Sequence, residues 1–173
     1  SRGGRFLACV GTGRERGIFV VPLDGARTPR PVVSTSFSEG DARFSPDGRW
    51  MVYSSDETGR RELYIQPLEG GSGKWQVWRG GGRDPRWSRD GKEIFFIGSG
   101  RRLMAIDVAT VPNVSLGNPR ELFRAVSWDA DPAGGNFDVS ADGQRFYVRR
   151  TLGVDELPAT SVVVNWMVRF KKR

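Results

Sequence analysis

The four-residue phrase Ser-x-Asp-Gly occurs three times in this chain, at positions 45–48, 88–91 and 140–143. Each copy separates two short apolar runs, as a hairpin turn does. Glycine adopts the positive φ that such a turn needs, and aspartate hydrogen-bonds to its own local backbone. The spacing of the copies approaches the roughly 40–45 residues of one propeller blade. The sequence therefore predicts an all-β propeller.

The residues around each turn extend the repeat into four-stranded antiparallel blades. Short runs rich in aliphatic and aromatic residues precede and follow each turn, and a third and a more polar fourth run come after them. The predicted blades lie at about 1–40, 41–83, 84–135 and 136–173, in one domain.

The terminal blades are predicted to be incomplete. Ser1–Gly4 resembles a degraded fourth copy of the turn, so the first blade would lack its first strand, and the fourth blade has little room for a last strand. A blade buries its faces against neighbours. Closure as a four-bladed ring, as part of a longer propeller, or by pairing of two half-rings therefore all stay open.

Composition narrows the classes of partner. The net charge is +7, but the arginines are scattered rather than forming a basic stripe, which weighs against nucleic acid. No apolar run approaches the roughly 20 residues of a membrane span, and the N-terminus lacks the apolar core of a signal peptide. The single cysteine, Cys9, excludes an internal disulfide and is predicted to be buried in a strand.

Two segments carry a family resemblance. The runs 41–56 and 85–96, Asp-Ala-Arg-Phe-Ser-Pro-Asp-Gly and Pro-Arg-Trp-Ser-Arg-Asp-Gly with the strands that follow, resemble the TolB-like β-propeller repeat. More narrowly, 62–67, 137–146 and 163–166 look like the propeller that follows bacterial membrane-tethered serine/threonine kinase domains. The resemblance implies a bacterial, periplasmic sensor or interaction module. Its partner would be a protein or a small polar ligand.

The absence of histidine removes most catalytic and metal chemistry. Ser-His-Asp and Cys-His activation and histidine zinc sites all need a residue that this sequence lacks. The acidic stretch 129–138 does not fit a calcium loop, because position five would be Ala133 and position twelve Ser140. We predict no catalytic residue, metal or cofactor. A hydrolase, or the accessory propeller of one, remains the alternative.

Charged residues at the start of the first strand of successive blades form the candidate ligand site. The strands would converge on a central channel if the ring closes. Salt bridges between adjacent blades are the alternative interpretation. The site residues are Asp41, Arg43, Asp84, Arg86 and Asp138.

Two tryptophans are the candidate partner contacts. Trp75 and Trp78 are three apart on one predicted outer strand, so they should face opposite sides of the sheet. The one left exposed would contact a partner, since aromatic residues are enriched at interfaces. Packing against the next blade is the alternative.

Overall fold

The computed structural model describes residues 3–11, 16–69, 73–124 and 137–148, and the backbone of 161–164. All regular structure in these ranges is β-strand. The first two sheets are built from β1 (Phe6–Gly11), β2 (Gly17–Pro22), β3 (Arg30–Val33), β4 (Glu39–Phe44), β5 (Trp50–Ser55), β6 (Glu62–Pro67) and β7 (Trp75–Trp78). The other two are built from β8 (Gly82–Trp87), β9 (Glu93–Gly98), β10 (Arg102–Ala109), β11 (Ser115–Leu116), β12 (Arg120–Arg124), β13 (Phe137–Val139), β14 (Arg145–Val148) and β15 (Ser161–Val164).

The strands form four antiparallel meanders in chain order, which we call blades 1 to 4. Blade 1 is β1-β2-β3, blade 2 is β4-β5-β6-β7, and blade 4 is β13-β14-β15. In blade 3, β8, β9 and β10 follow each other, and both β11 and β12 pair with β10. These sheets confirm the predicted partial propeller. The end of the predicted third strand of blade 4, at 165–167, lies outside the described residues.

The Ser-x-Asp-Gly phrases are the turns between the first and second strands of blades 2, 3 and 4. In blade 3 the Ser88 hydroxyl donates to Asp90 Oδ1 at 2.7 Å and accepts the backbone N–H of Glu93 at 2.9 Å. Gly91 has a φ of +74°, which a side chain would disfavour. The repeated aspartates therefore serve turn geometry.

Three apolar clusters join the four blades face to face. The cluster between blades 1 and 2 includes Ile18, Val33, Met51, Tyr53 and Tyr64. Between blades 2 and 3 it includes Val52, Leu63, Ile65, Trp87, Ile94, Phe96 and Ile106. Between blades 3 and 4 it includes Phe95, Leu103, Leu122, Phe137 and Phe146. The core is therefore divided among the blade interfaces, each holding two sheets together by apolar burial.

The prediction that Cys9 is buried is wrong. Cys9 is exposed, and Leu7, two residues earlier on β1, is 51% exposed. The other face of the strand packs on blade 2 through Ala8. Apolar character predicted the strand correctly, but only the stacking of blades decides which of its faces is covered.

Candidate functional site

The first strands of blades 2 and 3 carry the same backbone irregularity. The pairing of β4 with β5 shifts register between Gly40 and Arg43, and that of β8 with β9 shifts between Arg83 and Arg86. Asp41 and Asp84 lie within these shifts, each with a φ of +54°. A bulge of this kind re-aims the neighbouring side chains.

The two bulges are linked through Asp41. Its Oδ2 accepts the Ser54 hydroxyl at 3.0 Å and the backbone N–H of Asp84, in the next blade, at 3.2 Å. Arg61 Nη1 is 3.8 Å from the same oxygen, and its side chain is 40% exposed. Arg61 was not predicted as part of the site, because nothing in the repeat marks it. Asp41 therefore acts mainly as an acceptor that joins blades 2 and 3.

Asp84 and Arg86 form a buried ion pair in blade 3. Arg86 Nη1 donates to Asp84 Oδ1 at 2.7 Å and to the carbonyl of Pro85 at 2.9 Å. The side chain of Asp84 is 1% exposed and that of Arg86 is 13% exposed. The guanidinium carbon of Arg86 also lies 5.4 Å from the ring centroid of Phe137, in blade 4. The contacts of Arg86 on both sides favour a structural role for this pair.

Arg43 has a different environment from its counterpart Arg86. Its Nη1 donates to the carbonyl of Ala42 at 2.8 Å, and its Nη2 lies 4.0 Å from Asp84 Oδ1, beyond hydrogen-bonding distance. Its side chain is 41% exposed. Partial burial lowers the pKa of Arg43, and repulsion by Arg86 is the second cause. The nearby carboxylates raise this pKa but do not cancel the effect. Arg43 is therefore a cation with little direct compensation.

Asp138 takes the position in blade 4 that arginine takes in blades 2 and 3. Its Oδ1 is 3.8 Å from Arg86 Nε and accepts the backbone N–H of Val139 at 2.9 Å. The side chain is 75% exposed. The structure thus brings all five predicted residues into one chain of contacts across three blades, in which some ion pairs join adjacent blades.

Three of the five predicted residues border a cavity of about 430 Å³, which we call the central cavity because the first strands of blades 2, 3 and 4 line it. Its wall comes from the first strands and turns of blades 2, 3 and 4 and from Ala8 in blade 1. The charged residues of the wall are Arg43, Arg86 and Asp138 of the predicted set together with Arg89, whereas the buried Asp84, which pairs with Arg86, is not part of the wall. The wall of the cavity therefore mixes charges of both signs with apolar groups such as Ala42 and Trp87.

The prediction that Trp75 and Trp78 face opposite sides of the sheet is wrong. The pairing of β6 with β7 shifts register, with Leu63 opposite Trp78 and Tyr64 opposite Gln76. Both tryptophans are half-buried and pack against the cluster between blades 2 and 3. The bulge cancels the alternation that a regular strand would give. Their role as partner contacts stays a prediction.

The described residues contain no helix that is long and apolar enough to cross a membrane. Within the same part of the chain, no group of three or more acidic or cysteine side chains is arranged to hold a metal ion.

Sequence comparison gives one short match. No protein-family profile matches the chain. A tricorn protease homolog of Streptomyces coelicolor is 35% identical over 77 residues, which cover 43% of this chain and 6% of that protein.

Structure comparison gives matches over most of the chain. TolB from Acinetobacter baumannii matches with a TM-score of 0.66 at 20% identity, over 92% of this chain and 37% of that one. An oligogalacturonate lyase in complex with manganese matches with a TM-score of 0.63 at 18% identity, over 94% and 46%. The periplasmic gluconolactonase of Pseudomonas aeruginosa matches with a TM-score of 0.52 at 18% identity, over 83% and 46%.

The chain has a TolB-like β-propeller fold. It spans less than half the length of each of these proteins. Proteins of this fold include enzymes as well as TolB, so the fold alone does not assign an activity. The narrower resemblance to kinase-associated propellers stays a prediction.

Proposed function

We propose that this chain is a non-catalytic interaction module that binds a polar ligand, or a polar segment of a partner protein, in the central cavity. The observation that carries the proposal is Arg43: a half-exposed guanidinium on the cavity wall, without an ion pair shorter than 4.0 Å. Folding alone gives little reason to hold such a group beside a second arginine. A ligand would complete its interactions.

The contacts of the carboxylates support binding rather than catalysis. Asp84 is engaged by Arg86, and Asp41 accepts hydrogen bonds from Ser54 and from the backbone of Asp84. A catalytic carboxylate needs access to the substrate. Asp138 is the accessible one, so Asp138→Asn is the variant that tests an enzymatic alternative in esterase, peptidase and glycosidase assays. Activity that this substitution abolishes would contradict the proposal.

We also propose that the module works outside the cytoplasm of a bacterium. The resemblance to TolB-like repeats and the likeness to a periplasmic gluconolactonase support this location. A fusion of the protein to a reporter enzyme that is active only after export tests this location. The fusion should show reporter activity at native expression, and an inactive fusion would contradict the proposal.

Binding is tested by NMR on the ¹⁵N-labelled chain titrated with a library of small polar molecules. Ligands of the cavity should shift the amide signals of Ala42, Ser45 and Ser88 and the indole N–H signal of Trp87, because these residues line it. Shifts that cluster elsewhere, or no shifts at millimolar concentrations, would contradict the proposal.

The two arginines should respond differently to substitution. Arg43→Ala should weaken binding and leave the fold intact, because its side chain makes few contacts. Arg86→Ala should destabilise the fold, because it leaves the buried Asp84 carboxylate without its closest cation. The structure thus separates two residues that the repeat pattern treats alike.

A second candidate function is self-association through blade 1. The face that points away from blade 2 holds Leu7 and Cys9, with Phe19 and Val21 opposite them on β2. Leu7 and Cys9 are exposed. Each of the three internal interfaces joins two such apolar sheet faces. The occupant that we propose is the exposed face of blade 4 in a second copy, where Tyr147 is 41% exposed, opposite Asp138 and two residues from the exposed Arg145.

Light scattering tests this association directly. The wild type should form a dimer that Leu7→Glu breaks, and Val111→Glu is the matched control because Val111 is 74% exposed on another blade. The single cysteine adds a probe, since a covered Cys9 should react slowly with maleimide. A monomeric wild type with rapidly labelled Cys9 would refute self-association without affecting the proposal for the cavity.

A further inference from the structure

We infer that the ligand of the central cavity carries a carboxylate group, which Arg43 binds with Arg86 beside it. The inference rests on the proposed function, because it names the chemical class that the same cavity would take. It follows from the balance of charge, the shape of the donors and the size of the site.

Arg43 and Arg86 differ in how closely a carboxylate compensates their positive charge. The charge of Arg86 is matched by Asp84, whose Oδ1 accepts its hydrogen bond at 2.7 Å. Arg43 reaches only the same oxygen, at 4.0 Å. A second carboxylate beside these two arginines is Asp138, which lies 3.8 Å from Arg86 Nε and is 75% exposed. An anion in the cavity would supply the missing partner.

The environment of Arg43 increases the benefit of an anion. Partial burial and the charge of Arg86 already disfavour its protonated form, which the lowered pKa of Arg43 reflects. A bound negative charge would favour the protonated form of Arg43 again, because it offsets the repulsion from Arg86 and replaces the lost hydration. Partial desolvation also strengthens the attraction compared with an arginine on an open surface.

The donor geometry favours a carboxylate over a more highly charged anion. The planar fork of arginine offers two parallel N–H groups that match the two oxygens of a carboxylate. Asp138 lies 3.8 Å from Arg86 and is exposed, so it would repel a dianion such as phosphate about twice as strongly as a monoanionic carboxylate. The same carboxylate can accept a hydrogen bond from a hydroxyl or amide of the ligand.

The volume of the cavity suits a small group. About 430 Å³ lies within the range of small-molecule sites and accommodates one sugar acid or the last residues of a peptide. Both sources present the same carboxylate. The experiment therefore compares them directly.

The test uses two matched pairs of probes: glucuronate against glucose, and the tripeptide Gly-Ala-Ala with a free C-terminus against its amide. Binding is followed by the indole N–H signal of Trp87, which lines the cavity and donates to the carbonyl of Arg43 at 3.4 Å. At least one acid should bind about tenfold or more tightly than its neutral partner. Its affinity should fall as salt increases.

Three variants separate the role of Arg43 from a general effect of charge. Arg43→Gln should weaken binding of the acid by about tenfold or more, because the charge and the fork are lost. The affinity of Arg43→Lys for the acid should lie between those of the wild type and Arg43→Gln, since lysine keeps the charge but lacks the planar fork. Arg102→Gln is the matched control, because Arg102 is 52% exposed and pairs with Glu121 on another surface. It should leave binding unchanged.

The possible outcomes distinguish the carboxylate inference, the role of Arg43 and the proposed function. Acids and neutral probes that bind equally well in the cavity would overturn the carboxylate inference and leave the proposed function standing. If no polar probe of either kind binds there, both fail. Acid binding that Arg43→Gln and Arg43→Lys leave unchanged would overturn the role of Arg43. Selective binding of the sugar acid or of the peptide acid would support the inference and identify the source.

Discussion

Replacing Asp84 with asparagine should destabilise the protein more than the same change at Asp41, although the two residues hold equivalent positions. Both have a φ of +54°, which asparagine tolerates about as well as aspartate. The substitution therefore removes the charge and keeps the backbone. The two sites differ in burial: the side chain of Asp84 is 1% exposed and that of Asp41 is 14% exposed.

The magnitudes follow from the ion pairs that are broken. Removing one partner of a buried pair costs about 3–5 kcal/mol. Arg86 keeps partial compensation from Asp138 at 3.8 Å, so Asp84→Asn should cost about 3 kcal/mol, near the low end. The pair of Asp41 with Arg61 is 3.8 Å long and half-exposed, and asparagine can still accept its hydrogen bonds. Asp41→Asn should cost about 1 kcal/mol.

Urea denaturation monitored by tryptophan fluorescence measures the difference. With an m-value of about 2 kcal/mol/M, the midpoint should fall by about 1.5 M for Asp84→Asn and about 0.5 M for Asp41→Asn. Unchanged m-values would show that the comparison concerns stability alone. Equal shifts in the two variants would refute the reasoning, because they would show that the bulge, rather than a buried charge, sets the cost.

Two further predictions concern the turns and the core. The pKa of Asp90 is lowered by the Ser88 hydroxyl and the Lys92 N–H, and that of Asp142 by the Ser140 hydroxyl and the Gln144 N–H. The stability that these two carboxylates contribute should therefore be fully present above their unfolded pKa of about 4. It should be lost as the pH falls through their lowered pKa in the folded state. Urea midpoints measured down to about pH 3 should decline less steeply in the double variant Asp90→Asn, Asp142→Asn, and an unchanged slope would contradict this. Phe146 is fully buried and contacts the rings of Phe95 and Phe123 at centroid distances of 5.1 and 5.9 Å. Phe146→Ala should cost about 3–5 kcal/mol in chemical denaturation and Phe146→Leu about 1.5 kcal/mol or less, whereas a cost below about 1 kcal/mol for alanine would show that blades 3 and 4 are not packed as described.

Local chemistry made much of the fold predictable. The turns at Ser45, Ser88 and Ser140 are fixed by contacts within a few residues, so their sequence is sufficient to identify them. Strand order followed from the turns, because a hairpin pairs the two runs that it separates. Predictions that assumed regular alternation failed where the strand was irregular, as at Trp75 and Trp78.

The sequence by itself determined that this protein is a series of antiparallel blades with charged residues at the start of their first strands. Only the tertiary structure decided which of those charges are available. Arg43 and Arg86 occupy the same place in their repeats, yet Arg86 is held by Asp84 and Phe137 while Arg43 stays half-exposed beside the cavity. The physical reason is that burial depends on the neighbouring blade, whose residues lie about one repeat away along the chain.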